Sequence, residues 1–481
     1  MNSRLNLPLL ILFAVAVAAG FWLFNPYALY FLNDDFIHIP LSKDGVLFQR
    51  KSFRPICDLS IALDYFLWKK NAVGYHITNV LLHVFNTLLV YLFSVRLHKR
   101  YSSIPKWINI GIATLFFIYP FHSESIYWII GRSGSLGTLF FLVSIIFYLN
   151  RNEDRLAFTW SALFFSIGLL TYESIWIFPM IAFFISWKDA KDNANGIKKE
   201  AKYCIVLFIV FFVFLLVRYI TLGELVGDYE ASGFKNIHVV ELVLNGVRLV
   251  VRSFTPPMQS AIGFYLALGL ILLTVTYLFF IFLNKKSKSL LPHLIACFLI
   301  SLLPYLSLGI DTHGVEGERF LYLPSVFACV FLINFIVTIV PKQNIQILVF
   351  AFVFGYCIFF LSASQKKYFI ASNITRKTMV EINLIKGKSL LYVDSLPEEY
   401  EGALIFRLGF KEGVQWIGSE SEIKNITVTS SKSNWNKLPE HYNVNYKDTS
   451  YFSYKKILTS TKNAEDKAAI FFEDSCMIVV K

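Results

Sequence analysis

The chain has 481 residues, of which 56% are hydrophobic and only 16% charged, with 48 phenylalanines and a formal net charge of +12. Together with a mean hydropathy of +0.54, this excludes a soluble globular enzyme and points to an α-helical polytopic membrane protein, since each crossing needs about 20 mostly apolar residues. The basic excess sits between apolar segments, where it sets topology and attracts lipid headgroups rather than signalling nucleic acid.

Eleven apolar segments follow in order: 7–24, 76–96, 107–121, 134–150, 156–171, 173–187, 203–222, 261–284, 289–310, 320–340 and 344–363. The first follows a brief basic start and lacks a small-residue cleavage site, so it reads as a retained helix. Arg4, the run Arg96 to Arg100, Arg151 with Arg155, Lys188 through Lys202, Lys285, Lys286 and Lys288, and Lys342 fall on alternate sides of successive segments, which marks those loops as cytoplasmic. The opposite loops carry Asp34, Asp35, Glu124, Glu173, Glu224, Asp228, Glu230, Asp311, Glu316 and Glu318. With an odd number of crossings and a cytoplasmic N-terminus, residues 365–481 lie outside too.

Two domains are expected: a membrane domain, 1–364, and a small extracytoplasmic α/β or β domain, 365–481. The latter has strand-like runs at 390–393, 403–406, 426–429 and 477–480, separated by turn residues. In the long loop 25–75, Ile56, Leu59, Leu63, Phe66 and Leu67 recur at helical spacing with Asp58 and Asp64 elsewhere. That pattern, and a similar one over 238–254, predicts helices lying in the membrane interface. Of the six cysteines, only Cys57 and Cys476 fall on the outer side, where a disulfide is chemically allowed, and nothing in their spacing argues for one. No Cys/His metal spacing appears.

Candidate chemistry begins at Asp34-Asp35, just past the first segment. Carboxylates beside a bilayer are costly unless they face water or do chemistry. Adjacent helical residues point about 100° apart, so one serves as a proton acceptor while the other holds structure, or both cap the next helix. Next, His122-Ser123-Glu124 precedes Gly131-Arg132; Glu124 and His122 suit hydroxyl contacts. Arg132 suits a phosphate, because guanidinium makes two charge-assisted hydrogen bonds; its alternative is a snorkelling arginine. Arg319 stands at the outer end of the tenth segment beside Glu318, as a phosphate contact, an ion-pair partner or a helix anchor. His76, Asn79, His83 and Asn86 share one face of the second segment, which packs against other helices or lines a polar cavity. Tyr172-Glu173 sits in a tight outer turn.

These pieces, in order, resemble the GT-C-fold glycosyltransferases that use polyprenyl- or dolichyl-phosphate-linked sugars. The similarity is to the transmembrane O-mannosyltransferases with tetratricopeptide tails and their bacterial relatives. It rests on Asp34-Asp35, Phe53-Arg54-Pro55, Gly74-Tyr75-His76 with Asn79 and His83, His122-Ser123-Glu124 with Gly131-Arg132, Tyr172-Glu173, and Glu318-Arg319 with Tyr322 to Ser325, covering roughly 25–330. The tetratricopeptide tail is missing, so the acceptor of those enzymes does not carry over. The outline is also similar to bacterial and phage glucosyltransferases that decorate O-antigen in the periplasm.

The resemblance implies a single inverting displacement. Asp34 or Asp35 acts as general base on the acceptor hydroxyl, with Glu124 among the catalytic carboxylates. Arg132 and Arg319 hold the donor phosphate; Arg54, His76, His122, Glu173 and Glu318 bind substrate. It implies a lipid-linked donor, a glycan or protein acceptor, surrounding membrane lipid, no nucleic acid, and neither cofactor nor metal. The expected product is a hexose on a periplasmic glycan such as O-antigen, with a protein O-mannosyltransferase-like activity as the alternative. A flippase is the rival class, yet transporters show inverted repeats and broken spans near the midplane, whereas these ionisable residues gather at one surface. A ligase or polymerase of lipid-linked glycans is a further rival. The bacterial inner membrane is the expected location; sequons at Asn373 and Asn425 keep the endoplasmic reticulum membrane as an alternative.

Overall fold

The computed structural model describes residues 7–43, 53–101, 105–154, 156–190, 194–223, 238–258, 260–284, 290–385, 387–417, 423–432, 443–447, 467–473 and 476–480. Glu224, Asp228, Glu230, Arg4, Arg155, Lys285, Lys286 and Lys288 lie outside them.

Sixteen helices are formed by the described residues: α1 Leu7–Phe24, α2 Asp35–Lys43, α3 Pro55–Trp68, α4 Ala72–Tyr101, α5 Trp107–Phe117, α6 Ser123–Tyr127, α7 Arg132–Leu149 and α8 Ala157–Leu169. They continue with α9 Phe178–Ala190, α10 Ala194–Leu222, α11 Val239–Arg252, α12 Ala261–Asn284, α13 Leu291–Leu302, α14 Tyr322–Ile339, α15 Gln343–Leu384 and α16 Phe410–Ile417. The chain is a multi-pass membrane protein. Five helices, within 72–101, 132–149, 196–222, 318–339 and 343–384, are long and apolar enough to cross a bilayer. Shorter apolar helices occupy the other predicted segments.

α7 and α14 form the buried centre, while α10 and the first half of α15 turn apolar surface outward. α7 packs on α8 and α4. Small residues make that closeness possible: a Cβ on Gly137 would stand 2.9 Å from the Cβ of Tyr172.

The two helices expected in the interface are inside-out relative to a soluble helix. α3 exposes Leu59, Leu63, Phe66 and Leu67 and buries Asp58 and Asp64. α11 exposes Val239, Val240, Val243 and Leu244 and buries Arg252. Apolar residues on the exposed face and charged residues toward the protein are the pattern that an interfacial position demands.

The C-terminal part contains a five-stranded mixed sheet in the order β5-β1-β8-β9-β7. Its strands are β1 Leu390–Asp394, β5 Asn425–Val428, β7 Asn443–Lys447, β8 Lys467–Phe472 and β9 Cys476–Val480; β2 (Leu396–Pro397), β3 (Glu399–Tyr400), β4 (Ala403–Leu404) and β6 (Ser431–Lys432) form short pairs beside it. β1 runs parallel to β5 and β8, and β8 antiparallel to β9. The predicted strand 403–406 is only two residues long. Ile405 and Phe406 donate instead to Glu398 and Pro397 and turn toward the membrane domain. α15 runs unbroken across position 364, and its last turns, with Ile374, Met379 and Ile382, share a core with Leu391, Val393, Ile470 and Met477.

Candidate active site

The turn after α1 separates the two aspartates. Asn33 takes a left-handed conformation (φ 48°), which asparagine tolerates. Asp35 opens α2 and points inward, its carboxylate accepting the Leu32 amide (2.9 Å) and the Ile130 amide (3.1 Å). It is sealed from solvent. Burial, then the neighbouring Asp34 charge, push its carboxyl well above the ordinary range, with the two amides and Arg132 pulling back. Asp34 differs: its side chain keeps 17% exposure, with His38 Nε2 3.7 Å away. Asp35 is thus a tie between the turn after α1 and the 120–132 loop, and Asp34 is the carboxylate that meets solvent.

That second loop gathers the next group. Pro120–His122 makes one 3-10 turn, α6 follows, and a Cβ on Gly131 would sit 2.2 Å from the Glu124 carbonyl oxygen, so the loop closes only with glycine there. Glu124 accepts both the Arg319 backbone amide (3.0 Å) and its guanidinium. Burial raises the Glu124 carboxyl above its ordinary value while Arg319 opposes the shift. Arg319 lies 5.3 Å from the Trp128 ring and 4.6 Å from Phe320, and keeps 16% exposure. His122 is buried, with Nε2 2.6 Å from Ser325 Oγ and its ring 4.3 Å from Tyr322.

Arg54 grips Glu173 through two nitrogens, one at 2.8 Å, and lies 4.7 Å over Tyr172. It is 21% exposed.

Other expected site residues lie deeper. Arg132, expected at the donor phosphate, is fully buried: Asp64 on the inner face of α3 neutralises it at 2.6 Å, and it donates to the Tyr75 carbonyl at 3.2 Å. Glu318 is buried between Ser123 and Arg252, the arginine at 2.7 Å. His76 contacts the Tyr30 carbonyl through Nε2 at 3.1 Å. Asn79 donates to the Ile126 and Trp128 carbonyls, and His83 with Asn86 meets the Tyr322 hydroxyl. The polar stripe of α4 therefore packs the loops onto the bundle.

Asp64, Arg252 and Asn33 escaped the sequence reading. Arg252 ends a helix, where a basic residue reads as a simple cap; nothing local says that it turns inward. Among the described residues no group of three or more His, Cys, Asp or Glu is placed to hold a metal, and all six cysteines are free, Cys57 and Cys476 included.

Beside the site an apolar crevice of about 270 Å³ is lined by Tyr119, Phe121, Ala328, Cys329, Phe352 and Tyr356, among others. Arg252 lies 5.1 Å over the Phe121 ring that lines it. Phe352 is strongly exposed.

No protein-family model matches the chain. A protein O-mannosyl-transferase of Caenorhabditis elegans is 31% identical over 112 residues, 23% of this chain and 16% of that protein. Protein O-mannosyl-transferase TMTC3 of Mus musculus is 26% identical over 144 residues, 30% of this chain and 15% of its own length. For TMTC1 of Homo sapiens the figures are 34% over 108 residues, 22% and 12%. The matched stretch is thus a small part of each relative. Among solved structures, the cryo-EM structure of the arabinofuranosyltransferase AftD from Mycobacteria aligns at a TM-score of 0.47 and 13% identity, over 86% of this chain and 31% of that one. Over 22 to 30% of its length the chain is similar to the protein O-mannosyl-transferases, the family that its ordered motifs resemble.

Proposed function

We propose that this chain is an inverting membrane glycosyltransferase of GT-C architecture that moves one hexose from a polyprenyl-phosphate carrier to an acceptor hydroxyl. The observation that carries the reading is the 123–131 loop. One end holds Arg319 through Glu124, the other holds the acidic turn through Ile130 and Asp35. A solvent-reaching carboxylate and a partly open arginine are thereby built onto a single support.

Asp34 takes the proton of the acceptor hydroxyl, whose oxygen attacks the anomeric carbon. The bond from that carbon to the phosphate oxygen breaks, and the lipid phosphate leaves with the electron pair. Arg319 and Arg54, both at the rim, stabilise its growing charge. Arg132 acts from below by holding α3 in place. His122, His76, Glu173 and Glu318 set the positions of the loops.

The apolar crevice supports a prenyl-bearing donor, because it offers a greasy slot at the 119–121 turn that leads into His122 and Glu124. The named activity of the relatives supports a protein hydroxyl as acceptor and mannose as the hexose. A cell-surface glycan such as O-antigen is the second reading, drawing on the compact α/β unit that stands over the acidic turn. We take the topology as eleven crossings with the N-terminus cytoplasmic and 365–481 opposite, in a bacterial inner membrane or an endoplasmic reticulum membrane. The alternation of basic loops supports it.

The test incubates purified protein with labelled polyprenyl-phosphate hexoses and with protein and glycan acceptors. Transfer from the lipid-linked donor is expected; no transfer from any such donor overturns the reading. Arg319→Ala should lower kcat/KM for the donor on the order of 10²-fold, the usual scale for losing one charge-stabilising donor. An unchanged value removes Arg319 from the phosphate. Ala328→Trp, which fills the crevice, should raise KM for a long-chain donor about tenfold, equivalent to about 1.4 kcal/mol. KM for a short-chain analogue should stay put; equal effects on both donors would dismiss the crevice as a lipid slot.

A further inference from the structure

One segment of the C-terminal unit touches both halves of the site. Residues 401–409 follow β3 and cross back over the membrane domain. At one end Val315 donates to the Glu401 carbonyl at 3.2 Å. Gly402 (φ 86°) lies so close that a Cβ there would stand 2.5 Å from the Val315 nitrogen. Arg407 bonds both oxygens of Glu316, at 2.7 and 3.1 Å, and also reaches Glu399. At the other end the Asn33 amide donates to the Ile405 carbonyl at 2.8 Å, and the Leu408 amide donates to Asn33 Oδ1 at 2.8 Å. A Cβ on Gly409 (φ 76°) would meet the Asn33 carbonyl oxygen at 2.5 Å.

Asn33 directly precedes Asp34, and Glu316 lies three residues before Arg319. Apolar docking of this unit runs alongside these grips, through Phe31 on Trp416 (5.0 Å) and Phe36 on Phe406 of the strap itself (6.2 Å). Apolar burial holds the strap down without fixing its register, and the directional polar grips set where along the membrane domain it sits. Asn33 commits its amide and its side chain to the strap while held in the left-handed region, a conformation that costs most residues roughly 1 kcal/mol or more. No regular secondary structure asks for it.

From this juxtaposition we propose that the 401–409 strap is a gauge fixing the distance between the acidic turn and the arginine rim, and that Asn33 is its positioning residue. The proposal rests on Asp34 as base and Arg319 as phosphate contact. It makes the C-terminal unit an obligatory part of catalysis, through geometry alone.

The test uses the full-length purified protein and compares Asn33→Ala, Asn33→Asp and Asp34→Asn by steady-state kinetics and thermal melting. Asn33→Ala should lower kcat per folded protein about 10²-fold, the cost of a misplacement of about 1 Å, with donor KM nearly unchanged and only a modest fall in melting temperature from the lost acceptor and the left-handed backbone. Asn33→Asp, which keeps the left-handed preference and the acceptor for the Leu408 amide, should restore most of kcat. The gauge is overturned if Asn33→Ala keeps its kcat, if Asn33→Asp falls equally far, or if the loss vanishes once rates are normalised to folded protein. If Asn33→Ala does not accumulate, Arg407→Gln at the exposed end should lower kcat about fivefold, matching roughly 1 kcal/mol for a surface pair; unchanged kcat there overturns the proposal. Inactive Asp34→Asn with unaffected Asn33→Ala defeats the gauge alone, whereas active Asp34→Asn takes the base assignment down with it.

Discussion

Asp34→Asn is expected to remove sugar transfer by on the order of 10²- to 10⁴-fold, the range for loss of a positioned general base, while the protein still accumulates in the membrane. Asp34 is partly exposed, so losing its charge costs the fold little. Asp35→Asn should behave the opposite way. Its two oxygens serve the Leu32 and Ile130 amides, and an amide side chain would turn its NH2 toward one of them. Leaving a buried donor unmatched costs about 1–3 kcal/mol, so lower abundance and melting temperature should come first. Transfer rates normalised to folded protein separate the two outcomes. Full activity in Asp34→Asn would remove it as the base.

Arg252→Met should be the most damaging single change to stability. Arg252 and Glu318 are both fully buried and paired at 2.7 Å. Arg252 also donates to the carbonyls of Asp311, Thr255 and Gly314. Removing one partner of a buried pair leaves an uncompensated charge, at a cost of about 3–5 kcal/mol. The double variant Arg252→Met with Glu318→Gln should recover part of the loss, since glutamine still accepts from Ser123 and carries no charge. Abundance after detergent extraction and the melting temperature measure both. A single variant as abundant as the parent would show that the pair is dispensable.

The helices were legible because membrane crossings advertise themselves as long apolar runs, whereas the sheet was half hidden. β8 is buried along its whole length, and a strand covered on both faces lacks the alternation that marks a strand. At the site, Glu124, Arg319, Arg54 and Glu173 were named from short motifs, but not who pairs with whom: Arg319 and Glu124 are 195 positions apart, Arg54 and Glu173 119. Asp64 and Arg252 escaped because both ride on helices whose charged side faces inward. The difference between Asp34 and Asp35 depends on the Ile130 amide, which no local pattern reveals.

α15 is 42 residues long and free of proline from Gln343 to Leu384, about 60 Å at 1.5 Å per residue. A rod of that length, greasy at its base and seated in the sheet at its tip, acts as a mast stepped in the bilayer. Any sideways load on the C-terminal unit is delivered to the apolar base of the helix as leverage instead of being absorbed by a hinge. On the proposed function, bilayer thickness and lateral pressure become inputs to transfer at the rim, so the rate should change between bilayers of different acyl length.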